Sequence, residues 1–319
     1  MRQIIKVLDL FSGAGGFSEG FKEAGFKIVA GLDNFEAAGK TFKANFPDAE
    51  LILSDIKEVT SNQIESLIGQ PDVIIGGPPC ESFTSANFKR MPDPLDRLYK
   101  DPRGQLTLHF IRIVGDLQPK IFVMENVIHI ADGILKEQLK REFARVGYKV
   151  YFNVLDAEDY GTPSLRRRMF ISNVELQPQK SNRRTTVWDA IGDLPDPKSD
   201  HNIPNHEYVS VGYRRFRKIS RLKRNQSMIS FVGADGKMKS NFIRLDPYKL
   251  APPIMGKSRF IHPFENRLLT VREHARLMGF PDNFIFYGGK DSQFDQVGEA
   301  VPVPLAKAIA DFLLRNINW

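Results

Sequence analysis

Cysteine is nearly absent from this chain. Among 319 residues there is one, Cys80, so no intrachain disulfide can form and a cysteine-based zinc site within one chain is excluded. Long hydrophobic runs are missing as well. No segment reaches the roughly 18 uninterrupted apolar residues that a membrane span needs, and the N-terminal MRQIIKVLDLF enters a strand-like pattern instead of a secretory signal. The expectation is a soluble cytoplasmic protein with no membrane partner. Internal repeats and low-complexity tracts are also lacking, and a composition of 42% apolar and 26% charged residues excludes disorder and fibrous architecture. At the usual ~150 residues per domain the length suits about two domains.

Positive charge is unevenly spread. Residues 177–265 hold 17 Lys and Arg against 8 Asp and Glu, a net of +9, while the rest of the chain holds 28 basic and 30 acidic residues. The densest part, YRRFRKISRLKR, contains Arg214, Arg215, Arg217, Lys218, Arg221, Lys223 and Arg224 and no carboxylate. Two explanations stand: a solvated cationic face, or a polyphosphate partner whose bound counterions are released on contact.

The first half alternates β-branched runs with amphipathic segments, from IIKVLDLF and a helix around Ser18 to Ala24 through to RMFISNV. Strand, helix, strand in this rhythm predicts a doubly wound, mostly parallel α/β sheet of the Rossmann-like kind, with ligands beyond the carboxyl ends of its strands. From about Gln177 the pattern gives way to Pro, Gly, Asn and Arg, which reads as loops and short strands in a smaller, irregular β-rich domain. Helical order returns at TVREHARLMGFP, where Thr270 and Glu273 have capping-box spacing, and PLAKAIADFLL is a terminal amphipathic helix. The expected division is 1–176, 177–265 and 266–319.

Three places carry chemistry. In KVLDLFSGAGGFSEGF a buried strand ends at Phe11, glycines follow at Gly13, Gly15 and Gly16, and Asp33 ends the next strand 20 residues past Gly13. Glycines permit a sharp turn and close ligand approach, and an acidic side chain so placed can grip a ribose diol. A nucleotide is indicated, although a tight turn without a ligand is the alternative. Ser18 stands at the last glycine position of G-x-G-x-x-G, which disfavours NAD. Next, DVIIGGPPC puts Cys80 just past a buried strand, after Pro78 and Pro79 have stopped its pairing. A lone cysteine is often a small buried hydrophobe, but this one sits where sheet ligands sit. As a nucleophile it would want positive neighbours or a helix N-terminus. Finally, Glu125 ends the apolar strand FVMENV, where burial would favour its protonated form unless it joins an ion pair. Arg166 and Arg168 alternate onto one face of SLRRRMFI, which otherwise reads as an exposed edge strand.

Taken in order, these blocks resemble the DNA (cytosine-5) methyltransferases. DLFSGAGGFS, Asp33, the Asp55 and Ile56 pair, GGPPCESFT, DPRGQL, ENV, RRRMFI, RLLTVREHARLMGFPD and VGEAVPVP run through nearly the whole chain except about Pro178 to Pro263. The resemblance implies S-adenosylmethionine as cofactor, held along Phe11, Gly13, Gly15, Asp33, Asn34, Asp55, Ile56, Pro78, Leu106 and Glu299. It implies Cys80 as nucleophile, Glu125 as partner of cytosine N3, and Arg166 and Arg168 as clamps on the base. The basic segment Arg214 to Arg224 corresponds to the variable region that meets duplex DNA. The partners implied are that DNA and a separately acting restriction endonuclease; the enzyme would be a monomer, nucleoid-associated in a prokaryote. Three positions depart from the family pattern: Ser164 replaces a glutamine, Asn34 an aromatic or apolar residue, and Glu299 an asparagine.

The chemistry needs these parts. Cytosine C5 is a poor nucleophile, and thiolate attack at C6 makes it an enamine-like carbon able to accept a methyl group, with Glu125 stabilising the charge pushed into the ring. A stacked base hides C6, so it must be turned out of the duplex. The stretch from Glu81 to Arg103, with Lys89, Arg90, Arg97 and Lys100, is long enough to close over it. A family branch that modifies tRNA, and a DNA-binding relative without activity, are the competing expectations.

Overall fold

The computed structural model describes residues 4–85, 87–182, 184–233 and 236–319. Its first stretch runs β1 (Lys6–Leu10), α1 (Gly16–Glu23), β2 (Lys27–Asp33), α2 (Glu36–Asn45), β3 (Glu50–Leu53), α3 (Ser61–Ile68) and β4 (Val73–Gly76). It continues through α4 (Pro94–Tyr99), α5 (Gln105–Leu117), β5 (Ile121–Asn126), α6 (Ile134–Arg145), β6 (Tyr151–Asp156) and β7 (Arg167–Ser172). These strands form one seven-stranded sheet in the order β3-β2-β1-β4-β5-β7-β6. The first five are parallel and β7 runs antiparallel to both β5 and β6, so the alternation in the sequence translates into the expected doubly wound sheet.

Both faces of the sheet are covered, which is why β4 and β5 are buried along their whole length. Phe17, Phe21 and Phe42 pack on one side with Ile309 and Leu313; Phe110, Ile113, Val114, Leu139 and Phe143 fill the other. Beyond β7 come α7 (Val187–Ile191), α8 (Tyr213–Ile219), the hairpin β8 (Ser227–Val232) with β9 (Met238–Ile243), α9 (Val271–Leu277), α10 (Lys290–Glu299) and α11 (Val303–Asn316). The capping box at Thr270 and Glu273 is formed. Helix α11 returns to the sheet and lies along α1, where a Cβ on Gly20 would stand 2.4 Å from the Ala306 side chain. Only a glycine lets the two helices approach so closely.

One detail departs from the sequence reading. Loops and short strands are expected across the basic stretch, yet its densest part folds as α8. Tyr213–Ile219 is rich in long unbranched cations, which lose little rotamer freedom in a helix, with a β-branched residue only at its end. Among the described residues no helix is long and apolar enough to cross a membrane.

Candidate active site

The strand order reverses its progress across the sheet between the parallel strands β1 and β4: from β1 the strands step outward to β2 and β3, and from β4 the other way toward β5. Such a switch point opens a crevice at the carboxyl ends of the two neighbouring strands. Here those ends carry the glycine loop after Leu10 and the Gly77-Pro78-Pro79-Cys80 loop after Gly76. The strands are tight against each other, since a Cβ on Gly76 would lie 2.2 Å from the Leu10 carbonyl oxygen.

The glycine loop is shaped by positive φ at Phe11 (62°), Gly13 (53°) and Gly15 (95°). A side chain at Gly15 would strike Phe46 at 2.4 Å, whereas nothing lies within 4 Å of a Cβ at Gly13. Gly13 therefore faces open space. Asp33 is held beside it, its carboxylate accepting from the Gly13 N–H at 2.8 Å and the Phe35 N–H at 2.8 Å, and burial raises its pKa. The Ser12 hydroxyl is buried without a hydrogen-bond partner among the described residues. A nucleoside carrying an amino-acid tail fits this set: an acid for the ribose, open room above Gly13, and an orphaned hydroxyl. Asn34 is exposed, and Phe35, half of whose ring is exposed, is an apolar candidate the sequence reading passed over. Asp55 is half-buried and accepts from the Lys57 N–H. Leu106 is half-buried near the start of α5. Ile56 is a core side chain, and its carbonyl accepts from Arg112.

Cys80 is half-buried and free. Its carbonyl accepts from the Phe83 and Thr84 N–H groups, and the Asn126 side chain donates to the Pro78 carbonyl at 3.1 Å, tying the loop to the end of β5. A Cβ on Gly77 would lie 3.3 Å from a Glu125 carboxylate oxygen, so this loop passes directly over Glu125. Burial pushes the Cys80 thiol up to about 11, with Glu125 and Glu81 adding to it and Arg168 and Arg166 opposing. The antiparallel pairing of β7 with β5 explains the arginines, because it brings the start of β7 to the end of β5.

The two arginines are used differently. Arg168 Nε sits 2.9 Å from a Glu125 oxygen, so the ion pair, not an unpaired carboxylate, is formed. Arg166 is buried, donating to the carbonyls of Ile254 at 2.7 Å and Gly298 at 2.9 Å. Those bonds join the start of β7 to the segment before Gly256 and to α10. Ser164, also buried, donates to the Leu277 carbonyl. In the long loop Phe83 and Leu98 are core residues and Arg97 donates to the Met91 and Pro92 carbonyls; Ala86 lies outside the described residues.

In the basic segment Arg214, Arg215, Arg217, Lys218, Arg221, Lys223 and Arg224 are all exposed. Arg215 lies over Phe242, and Arg224 over Tyr248 and Phe264. The residue that sequence reasoning missed is Arg244. Buried behind the helix, it donates to the carbonyls of Ile219, Leu222, His262 and Glu265. Because its partners come from two separate segments, 219–222 and 262–265, no spacing signal announces it.

The family model for C-5 cytosine-specific DNA methylases matches residues 5–315. The chain belongs to that family. It is 46% identical, across 98% of its length and 100% of the relative, to a Methanocaldococcus jannaschii protein named as type II methyltransferase M.MJ0563P. It is 38% identical to type II methyltransferase M1.HphI of Haemophilus parahaemolyticus, covering 98% of this chain and 87% of that one. An E. coli prophage-encoded protein described as a DNA modification methyltransferase superposes with a TM-score of 0.79 at 27% identity, over 98% and 99% of the two chains. This C-5 cytosine-specific DNA methylase is thus a DNA (cytosine-5) methyltransferase whose crevice holds Cys80, Glu125 and Arg168 together.

Proposed function

We propose that this methyltransferase modifies cytosine in a short duplex DNA sequence through a transient bond between Cys80 and a base turned out of the helix. The observation that carries the reading is the switch point: the glycine loop and Cys80 leave neighbouring strands into one crevice, and the Glu125–Arg168 pair stands at the next strand end.

S-adenosylmethionine, bound along Phe11, Gly13, Gly15 and Asp33, supplies an electrophilic methyl group. The chain does the rest. Cys80 as thiolate attacks C6, and the electron pair of the C5–C6 bond moves to C5, which becomes the nucleophile for the methyl group. Glu125, oriented by Arg168, holds N3 in protonated form and so stabilises the charge that attack pushes into the ring. Loss of the C5 proton to water lets the C–H electron pair reform the C5–C6 double bond as the C6–sulfur bond breaks and the Cys80 thiolate leaves. Arg166, whose Nη1 donates to the Ile254 and Gly298 carbonyls while its buried Nε has no partner among the described residues, supports this site from behind. The raised thiol pKa of the free protein makes nucleophile activation a consequence of substrate binding, when closure of the Glu81 to Arg103 segment changes the surroundings of the sulfur. Residues 177–265 form the unit that meets DNA, with α8 and the residues to Arg224 on its phosphates. A separate restriction endonuclease sharing the recognition sequence, as the type II relatives suggest, completes the picture; the chain acts as a monomer.

Labelled methyl incorporation into duplex DNA and into tRNA, followed by bisulfite sequencing of the DNA product, tests this. Label in duplex at one sequence context supports it; label in tRNA alone, or no transfer with DNA binding intact, overturns it.

A further inference from the structure

The stretch that carries the basic helix has little apolar core of its own. Among the described residues its hydrophobic cluster holds three buried side chains, Ile219, Ile261 and Leu268, and of these α8 supplies only Ile219. A helix of 7 residues is too short to persist on its backbone bonds alone, and its cationic side chains all face solvent. What fixes α8 is the guanidinium of Arg244, just past β9 at the foot of the hairpin and only 6% exposed.

A guanidinium has five N–H donors in one rigid plane, and here every one is used. Nε donates to the Leu222 carbonyl at 2.9 Å; Nη1 donates to those of His262 at 2.9 Å and Glu265 at 2.8 Å. Nη2 donates to the Ile219 carbonyl at 2.9 Å and to the Asn266 side-chain oxygen at 2.6 Å. Ile219 is the last residue of α8, so its carbonyl is one of the acceptors a helix leaves open at its C-terminus, where a cation also meets the negative end of the dipole. The acceptors at 262–266 immediately precede Arg267, which binds the buried Glu273 of α9 at 2.8 Å. The far end of α9 accepts from Ser164, just before β7. One flat group thus ties the end of α8 to the chain as it returns toward the crevice. Displacing either segment would leave buried N–H groups of a cation unpaired, so their mutual placement is fixed.

We propose that Arg244 is a positioning residue for DNA recognition: acting through α8 and residues 262–266, it holds Arg214, Arg217 and Lys218 as one rigid phosphate-gripping surface relative to the Cys80 crevice. This rests on the reading of residues 177–265 as the unit that meets DNA. Being buried, Arg244 acts without touching the duplex. Lysine cannot replace it, because a single nitrogen with three donors does not span both segments.

Steady-state methylation of a duplex carrying the context that bisulfite sequencing identifies, with affinity followed against salt, compares four variants of the full chain. They are Arg244→Met, the milder Arg244→Lys, Leu268→Ala, and Arg214, Arg217 and Lys218 replaced together by alanine. Both Arg244 variants are expected to raise the KM for DNA about tenfold and keep kcat within about threefold. They should flatten the salt slope as the triple variant does, with S-adenosylhomocysteine affinity unchanged. Leu268→Ala removes apolar volume from the same cluster but leaves the five acceptors in place, and should move KM by no more than about twofold despite a lower melting temperature. If Leu268→Ala, at a matched loss of melting temperature, raises KM as far as Arg244→Lys does, Arg244 serves stability alone and the proposal is overturned. A fall in kcat at unchanged KM, or no change in either, overturns it equally. An unaltered KM and slope in the triple variant would sink the DNA-facing reading itself, whereas a weakened triple variant beside Arg244 variants that behave as wild type would remove only the role of Arg244.

Discussion

The Nε of Arg168 lies 2.9 Å from the carboxylate of Glu125, with their side chains 20% and 11% exposed. Two residues 43 apart in sequence thus form one unit, because β5 and β7 run antiparallel and align their opposite ends. Arg168→Met would leave the Glu125 charge largely buried and uncompensated. A stability loss of about 1–3 kcal/mol is expected in urea denaturation, together with a fall in methyl transfer of about a hundredfold. Adding Glu125→Leu should recover the stability and none of the activity; recovery of neither would show that the pair does not act as a unit.

The thiol offers a pH test. The thiolate is the reactive form, and the Cys80 pKa is raised to about 11, so in the free protein iodoacetamide labelling should climb about tenfold per pH unit from 7 to 10 without levelling near 9. Glu125→Gln removes a carboxylate that helps raise the pKa, and should speed labelling at pH 8. A plateau by pH 9 in the wild type would falsify this. Cys80→Ser should abolish methyl transfer while S-adenosylhomocysteine still binds.

Two glycines distinguish packing from ligand room. Gly298 crosses the backbone before Gly256 so closely that an added Cβ would stand 2.2 Å from the Met255 carbonyl carbon and 2.3 Å from the Gly256 nitrogen. Neither atom can swing aside, and Gly298→Ala should lower stability by about 2 kcal/mol or more. Gly13→Ala meets no protein atom within 4 Å but takes on a residue with φ of 53°. Thermal unfolding should register about 1 kcal/mol of strain, whereas S-adenosylhomocysteine affinity should drop by at least tenfold. Equal effects in both assays would contradict the assignment of that open space.

Salt dependence tests the basic helix. Replacing Arg214, Arg217 and Lys218 together with alanine should reduce the slope of log affinity against log salt by about 0.9 for each residue that contacts a phosphate. Those side chains are exposed, so thermal stability should hardly move. An unchanged slope would return α8 to the status of a solvated face.

Asp9 provides a stability test. It is buried on β1, accepts from the Ser18 hydroxyl at 2.7 Å, and burial raises its pKa to about 7 from the ordinary 3.8. Between those values the unfolded chain has lost a proton that the folded chain retains, so the native state binds more protons and stability falls as pH rises from about 4 to 7. Asp9→Asn should remove this slope, gaining on the wild type at pH 8 relative to pH 4.5 in urea midpoints. A wild-type slope of the opposite sign, unaffected by the substitution, would sink the account.

Much of the site was legible before the fold. The apolar runs ending at Leu10, Gly76 and Asn126 announce strands, and residues just past strand ends are where a doubly wound sheet presents its chemistry. Cys80, Glu125 and the glycines could be picked out on that ground alone. The helix at Tyr213–Ile219 was not legible, because a cationic stretch lacks the apolar periodicity that marks a buried face, and its anchor Arg244 gathers carbonyls from two distant segments.

The sequence by itself determined the strand and helix alternation, the placement of glycines, thiol and carboxylate at strand ends, and the location of the positive charge, because each depends on local pattern. Only the tertiary structure decided that Arg168 joins Glu125 while Arg166 binds carbonyls at Ile254 and Gly298, positions 88 and 132 residues away. Which hydrogen-bond acceptors meet a buried guanidinium depends on how distant segments pack, and backbone carbonyls carry no signature in the side-chain sequence.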